Sequence, residues 1–463
     1  FVLNYIGPIL FFWGFTKIFI RGSLKFQEFV AKLVKFAGDL SVLSTKNVRR
    51  NPARTAAIAF LIAMITGYGF QVIGTYASTQ DYIIRQIRFY VGAEISVHLS
   101  TLQNLSSTID KIRNISDVSS ITVEYTFYGQ TADGGISMRL IAVNPEEWLN
   151  IAYYENDLFT GRDAASAFRE MRNDNNTIIL DRGIAERLKL SIGDNIAVRF
   201  STQPDTKVFN LKVLGFFGPE QTQMLTYPQR HPHYYWSYVP EGFYHSVKNE
   251  LYSSNGRILV KLMAGADGEA AAEEIRNLEL SDISAVYSVA EILEQWRENA
   301  LTTSHLIFLG FTGSTEIQRL GVAFAVLAAS IGTALVTLIS LKERSKEIGI
   351  MSVRGLSFKQ IVSVLLTDNL AVVGFAIFLG AVVGLIVVRG NISAANSMPT
   401  PMPTPSPTPI FSFSPILRRM VFPLDSILTL VLCCVLILAS TIVPIILTVR
   451  RYISELEGIV REV

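Results

Sequence analysis

Few residues in this 463-residue chain stand where they could do chemistry, and most of those argue against enzymatic work. His231 and His233 flank Pro232 and offer two imidazoles that could begin a metal site. Their neighbours Tyr234, Tyr235, Trp236 and Tyr238 instead suit an aromatic loop that touches a partner or a membrane, so no metal ligand set is expected. Cys433 and Cys434 are adjacent inside an apolar run, a spacing that serves neither a disulfide nor a metal. Asn104, Asn114, Asn175 and Asn391 each open an Asn-x-Ser/Thr triplet, which matters only where a host glycosylates. The chain has no Gly-x4-Gly-Lys-Ser/Thr, no Gly-rich strand-to-helix turn with a following acid, no His-Glu-x2-His and no Gly-x-Ser-x-Gly. No catalytic residue is expected, and the chain does not read as an enzyme.

The most informative segment is Leu341-Lys-Glu-Arg-Ser-Lys-Glu-Ile-Gly-Ile-Met-Ser-Val-Arg-Gly-Leu-Ser-Phe-Lys-Gln-Ile361. An apolar run passes directly into a charged helical turn, a glycine break and a second helix. Glu343 and Glu347 fall on one face, Lys342 and Lys346 on another. Composition alone describes a solvated loop. Gly380-Ala-Val-Val-Gly384 is a Gly-x3-Gly pair that permits close approach of helices, for packing or dimerisation.

These residues need elements to hold them, and charge locates the elements. Only 17% of residues are charged and the mean hydropathy is +0.34. Five stretches, 1–16, 55–80, 320–341, 369–388 and 426–449, contain no Asp, Glu, Lys or Arg. The remaining chain is about 23% charged, close to the norm for soluble proteins. The result is a soluble-type body carried on membrane spans; a wholly soluble enzyme, a disordered chain and a disulfide-stapled domain are excluded. The first span, 1–20, begins already apolar and suggests a numbering that starts inside a longer polypeptide.

Lys17, Arg21, Lys25, Lys32, Lys35, Lys46, Arg49, Arg50 and Arg54 crowd the first connection. Lys342, Arg344, Lys346, Arg354 and Lys359 fill the third, and Arg450, Arg451 and Arg461 follow the last span. Five spans put all three groups on one side, the cytoplasm, and leave 81–319 outside a cell (plasma or inner) membrane. That outer part carries 30 acidic and 21 basic residues, the remainder 9 and 20, so the net +2 conceals −9 outside and +11 elsewhere. The basic share fits the positive-inside signal and anionic lipid; no nucleic acid partner is expected.

The expected organisation is a linking span at 1–20, an amphipathic cytoplasmic connection at 21–54 and a span at 55–80. An outer domain at 81–319 follows, then a span at 320–341, a cytoplasmic turn at 342–368 and a span at 369–388. A Pro/Thr-rich outer loop at 389–425, a span at 426–449 and a tail at 450–463 complete it. Ser23 caps a short basic amphipathic helix bearing Phe26, Phe29, Val30, Leu33 and Phe36, set in the inner interface or against protein. In the outer domain, strands are expected at Glu94–Leu99, Val118–Phe127, Ile136–Val143, Arg257–Leu262 and Ile283–Ser288. Helices are expected at Asn104–Ile115, Gly268–Leu278 and Val289–Asn299. Two βαβ-type pieces thus make one α+β subdomain, interrupted by an insertion at about 159–244. That insertion reads as mainly β, from Ile178–Asp181, Ile184–Leu190, Ile196–Phe200 and Phe209–Gly218. Met398–Pro415 repeats Pro and Thr and favours extended backbone. The fold class is an α-helical transmembrane protein with a large α+β extracytoplasmic domain. The four complete spans contain no charge, which argues against an ion-coupled polar pathway.

Lys342-Glu-Arg-x-x-Glu-Ile-Gly-Ile350, with Arg354-Gly355 and Gln360-Ile361, resembles the hallmark of FtsX-like permeases, the membrane subunits of MacB-type (type VII) ABC transporters. Asn47-Val-Arg-Arg-Asn-Pro-Ala-Arg-Thr55 is similar to that family's basic entry into its first core span. Val91–Val97 and Ile184–Ile196 resemble segments of the MacB-like extracytoplasmic domain. The similarity runs over about 47–463, and the span at 1–20 lies outside the four-span core.

The resemblance implies a dimerising permease, with a second copy or permease half, that binds a separate cytoplasmic ABC ATPase. That ATPase, and not this chain, would use ATP and magnesium. Lys342, Glu343, Arg344, Glu347, Ile348 and Gly349 would then form the coupling surface, with Arg354 and Gly355 beside it. Such permeases move an outer domain and pass no substrate through a channel, serving export or lipoprotein and lipid handling. A signal complex that activates an outer hydrolase or sensor is the alternative.

Overall fold

The computed structural model describes residues 52–133, 135–200, 207–218, 236–302, 315–343, 345–396 and 415–461, with scattered positions between 6 and 17. The expected span at 1–20 and amphipathic connection at 21–54 lie almost wholly outside the described residues. The His231 and His233 loop, the segment 303–314 and the Pro/Thr repeat at 397–414 lie outside them too.

Helix α1, Pro52–Val91, runs for 40 residues. It stops at Gly92, whose φ of +86° suits glycine and whose N–H reaches the Arg88 carbonyl at 2.8 Å. Strand β1 (Ile95–Leu99), helix α2 (Leu105–Arg113), β2 (Val118–Thr131) and β3 (Ser137–Val143) follow. Next come α3 (Pro145–Ile151), β4 (Phe159–Thr160), α4 (Ala164–Met171), β5 (Thr177–Asp181) and α5 (Arg182–Leu188). The strands β6 (Asn195–Arg199), β7 (Phe209–Phe217) and β8 (Trp236–Pro240) lead into α6 (Glu241–Val247). Then β9 (Ser254–Leu262), α7 (Gly268–Asn277), β10 (Ile283–Ser288) and α8 (Val289–Thr302) complete this part. Four helices follow: α9 (Thr315–Glu343), α10 (Ser345–Val353), α11 (Phe358–Asn396) and α12 (Leu424–Arg461).

The chain divides into two units. A helical unit comprises Phe1–Thr79, Ser304–Ile392 and Met420–Val463, and a sheet unit comprises Gln80–Thr303 and Ser393–Arg419. Among the described residues the sheet unit is built on ten strands in the order β10-β1-β9-β2-β3-β8-β5-β7-β4, with β6 bridging β2 and β7. β1, β2, β9 and β10 lie side by side although more than a hundred residues separate β2 from β9 along the chain, which is the interrupted α+β piece. Alternating Ile95, Val97 and Leu99 pack with Ile258 and Val260 beneath α2 and α7, through Ile112, Ala271, Ala272 and Ile275. Trp148, Phe159, Phe168, Phe217 and Tyr238 form an aromatic core elsewhere on the sheet, with Trp148 and Phe168 centroids 4.7 Å apart.

The inserted part joins the same sheet through the parallel pairing of β3 with β8, from Arg139 opposite Trp236 to Val143 opposite Pro240. Here one expectation is corrected. Ile184–Leu190 is not a strand; its residues form α5 and its exit. Ile184, Glu186, Leu188 and Leu190 alternate as in a strand, but Ile184 and Leu188 are also one helical turn apart. The buried Asp181 carboxylate decides between them by accepting the Ile184 N–H at 3.2 Å, and Lys189 ends the helix in the left-handed region. Among its described residues the insertion therefore carries the helices α4, α5 and α6 beside its strands.

The helical segments Ala59–Val91, Val326–Glu343, Val372–Asn396 and Leu424–Tyr452 are long and apolar enough to cross a membrane. They correspond to the charge-free runs at 55–80, 320–341, 369–388 and 426–449. The chain is a multi-pass membrane protein.

His98 of β1 meets Tyr287 of β10 edge-on at 5.2 Å. Burial, and then the nearby Arg257 cation, lower its imidazole from 6.5 to about 4. The folded pKa lies below the unfolded one, so the stabilisation is complete above pH 6.5 and is lost as pH falls toward 4. Its ceiling is roughly 3 kcal/mol. Thermal unfolding of the full chain in detergent, compared with His98→Phe, should show the wild type losing stability faster between pH 6.5 and 4. Parallel curves for the two proteins would refute this role.

Candidate coupling site

The turn between α9 and α11 is held by apolar side chains below and capped backbone at both ends. Leu341, Ile348, Ile361, Leu365, Ile445 and Val449 form a buried cluster, with Met351, Leu356 and Tyr452 packed against it. Ile348 and Met351 are three residues apart and seat one stripe of α10 on the ends of α9, α11 and α12. α10 closes with Arg354 N–H on the Ile350 carbonyl at 3.0 Å and Leu356 N–H on the Met351 carbonyl at 3.2 Å. Gly355 between them has φ +84°, which gives the Schellman arrangement with apolar Leu356 just beyond. α11 opens on a reciprocal cap: Ser357 N–H donates to Gln360 Oε1 at 2.9 Å, and Gln360 N–H to Ser357 Oγ at 3.4 Å.

The other side of α10 faces outward. Ile350 is 56% and Val353 84% exposed, and Phe358 is exposed at the start of α11. Lys342, Lys346, Arg354 and Lys359, in the same segment, are exposed too. A Cβ at Gly349 would meet nothing within 4 Å. A glycine inside a helix costs about 1 kcal/mol relative to alanine, and crowding within the chain does not explain this one. Lys346, Gly349, Ile350 and Val353 form a helical stripe, apolar at its centre and basic at its margins.

The expected coupling residues therefore separate. Lys342, Glu343, Arg354 and Gly355 are exposed, and a Cβ at Gly349 would meet open space. Ile348, placed with them by the resemblance, is fully buried and packs α10 against Leu341, Ile361, Ile445 and Val449. Arg344 lies outside the described residues, as does the side chain of Glu347. Ile350, Val353 and Phe358 were not anticipated as surface residues, although the three-residue spacing of Ile350 and Val353, offset from Ile348, carries the signal.

Gly380 and Gly384 lie on α11 against α1. A Cβ at Gly380 would fall 2.5 Å from the Ala63 carbonyl oxygen and 2.8 Å from Thr66 Cβ. At Gly384 it would fall 2.6 Å from Phe70 Cβ and 2.8 Å from the Gly67 carbonyl oxygen. The pair lets two helices of one chain approach backbone to backbone.

Residues 55–278 match the family model described as the MacB-like periplasmic core domain, and residues 319–453 match the FtsX-like permease C-terminal model. The chain belongs to the FtsX-like permeases. The permease also aligns with two solved structures. One is the periplasmic region of MacB from Actinobacillus actinomycetemcomitans, at 14% identity and TM-score 0.27, covering 44% of this chain and 92% of that one. The other is the extracellular domain of the ABC-type transporter YknZ from Gram-positive bacteria, at 13% identity and TM-score 0.26, covering 42% and 98%. No curated protein matches the chain. Family membership makes the permease a membrane subunit of an ABC transporter, with an extracytoplasmic segment and a working relationship to a cytoplasmic ATPase.

Two variants test the geometry. Gly380→Val must push apart backbones that already touch and should destabilise the helical unit by roughly 1–3 kcal/mol. Gly355→Ala, at a left-handed position, should cost about 1 kcal/mol. Denaturation of the purified permease in mixed micelles measures both. A neutral Gly380→Val would contradict the close α1–α11 contact.

Proposed function

We propose that the permease couples ATP hydrolysis by a separate cytoplasmic ATPase to movement of its extracytoplasmic domain in the cell membrane. In this reading the ATPase engages the exposed stripe of α10. The observation that carries the reading is Val353: a side chain 84% exposed, on a helix seated by its opposite face in a segment whose exposed residues include Lys342, Lys346, Arg354 and Lys359. An isolated exposed apolar residue is ordinary, but Ile350, Val353 and Phe358 together form a patch suited to a cleft with an acidic rim.

The spans support movement over passage. The helix α1 is about 60 Å long at 1.5 Å per residue, against a hydrocarbon core of about 30 Å. Its charge-free part ends at Asp81, and the same helix continues to Val91. A displacement imposed on it is carried along its length. ATP and magnesium bind the partner in this reading, and a second copy or permease half completes the assembly.

The test uses the permease purified with its ATPase in lipid nanodiscs. Val353→Asp alters an exposed position and Gly349→Trp one where a Cβ meets nothing within 4 Å; both should leave the fold unchanged while reducing ATPase association or permease-dependent hydrolysis at least tenfold. Normal association and hydrolysis in both variants would remove α10 as the contact. A permease that never captures an ATPase would overturn the reading altogether.

A further inference from the structure

The sheet unit contains a buried ion pair that does more than neutralise itself. Glu124 of β2 and Arg257 of β9 are direct cross-strand partners, with Arg257 Nε donating to Glu124 Oε2 at 2.5 Å. Glu124 is 2% exposed, and its other oxygen accepts the indole N–H of Trp148 at 2.7 Å. The rest of the Arg257 guanidinium turns to the last turn of α1. Its Nη1 donates to the Tyr90 carbonyl at 3.1 Å and the Val91 carbonyl at 3.4 Å. Those carbonyls are among the four that a helix leaves unpaired at its C-terminus, where a cation is also favoured by the helix dipole. A side chain from the middle of the sheet therefore caps the long helix.

The residues just past that cap bind the sheet again. The Gly92 carbonyl accepts from Tyr153 N–H at 2.7 Å, and the Glu94 carbonyl accepts from Val289 N–H at 3.0 Å. Val289 is the first residue of α8, so the helix entering the sheet unit and the helix leaving it meet within three residues. The Glu94 carboxylate also accepts the Leu262 N–H at the end of β9. Gly92 is crowded by the cap itself: a Cβ there would lie 3.0 Å from Arg257 Nη2.

We infer that the Glu124–Arg257 pair is the joint that makes the end of α1 and the sheet move as one body. Arg257 is thus a positioning residue for the movement proposed above, on which this inference rests. Arginine suits the place because its planar fork bonds a carboxylate and two carbonyls at once, which a lysine ammonium at the end of a flexible stem does not.

The experiment is pulsed spin-label distance measurement on the permease with its ATPase in nanodiscs, with Cys433 and Cys434 replaced by alanine and labelled copies diluted with unlabelled ones. One label pair, Arg88→Cys with Tyr252→Cys, uses exposed positions on the last turn of α1 and elsewhere in the same sheet unit. The second, Leu447→Cys with Tyr252→Cys, relates the same sheet position to exposed Leu447 of α12. In the wild type the second distance should change between ADP and a non-hydrolysable ATP analogue, and the first should not. In Arg257→Met combined with Glu124→Leu, the first distance should become nucleotide-dependent and its spread should rise about twofold. Gly92→Ala, which crowds the guanidinium without removing a charge, should do the same more weakly.

A charge swap separates joint from mere packing. Glu124→Arg with Arg257→Glu keeps an ion pair but turns a carboxylate toward the Tyr90 and Val91 carbonyls, so the joint should stay broken. Wild-type distances in the swap, or in all variants, would overturn the joint. A second distance unresponsive to nucleotide in the wild type would instead overturn the functional reading, and the joint with it.

Discussion

A sheet that holds the end of a forty-residue helix has to keep a cation in its interior, and Glu124 makes that tolerable. Burial alone pushes the Arg257 guanidinium down, and the carboxylate across the strand pair more than reverses it. Removing one partner of such a pair typically costs 3–5 kcal/mol, because the remaining charge is left buried and alone. The surroundings follow from this. Arg139, also set into the sheet, is pushed down first by burial and then by Arg257, and it lies over the Trp236 ring at 5.1 Å from the centroid. Trp148 spends its indole N–H on Glu124 and packs its ring against Phe168 and Tyr238. Aromatic rings exclude water around the pair without competing for its hydrogen bonds.

A second charged knot sits at the other end of the sheet unit's share of α1. Arg85 bonds the Glu155 carboxylate, Asp81 at 3.3 Å and the Leu417 carbonyl at 3.1 Å, and Tyr153 donates to Glu155 at 2.8 Å. Arg419 pairs with Asp81 at 2.9 Å, and Asn396 exchanges two hydrogen bonds with the Arg418 backbone. Ile416 is 2% exposed within the aromatic core. The five residues 415–419 are therefore sewn into the sheet unit by an apolar anchor at Ile416 and by the polar contacts of Leu417, Arg418 and Arg419 that follow it. Arg85 is 8% exposed and multiply bonded, which sets this knot apart from the surface pairs that contribute little.

Composition and periodicity made the architecture legible wherever the determining forces are local. Charge-free runs marked the four long helices, and alternation marked β1, β2, β3, β9 and β10, because burial of one face is written directly into residue order. The insertion was harder. Ile184–Leu190 satisfies both periods, and only the capping carboxylate of Asp181 separates them. The turn at 341–361 was legible as charged and glycine-broken, yet which of its apolar residues faces inward depends on α12, some hundred residues later, where Ile445 and Val449 meet Ile348. The joint was not legible at all. Glu124 and Arg257 are 133 residues apart, and nothing near either one announces the other. Ile416 is similar: it follows a Pro/Thr repeat that reads as exposed linker, and its burial is set by partners on α1 and in the sheet unit.

The two units reach rigidity by different chemistry, and the difference follows from their solvents. Between membrane helices, lipid is as apolar as the helices themselves, so contact is won by backbone proximity. Gly67, Gly380 and Gly384 supply it, and larger residues there would hold α1 and α11 apart. In the sheet unit water competes for every polar group, so rigidity needs bonds that water cannot easily replace, and these are the buried charges on Arg85 and Arg257. At the turn beside α10 neither device is used. There the backbone is closed by a Schellman glycine on one side and a Ser–Gln cap on the other, leaving the side chains of Ile350 and Val353 uncommitted to the interior. Stiffness without consumed surface is what a helix needs if it is to be pushed by something outside the chain.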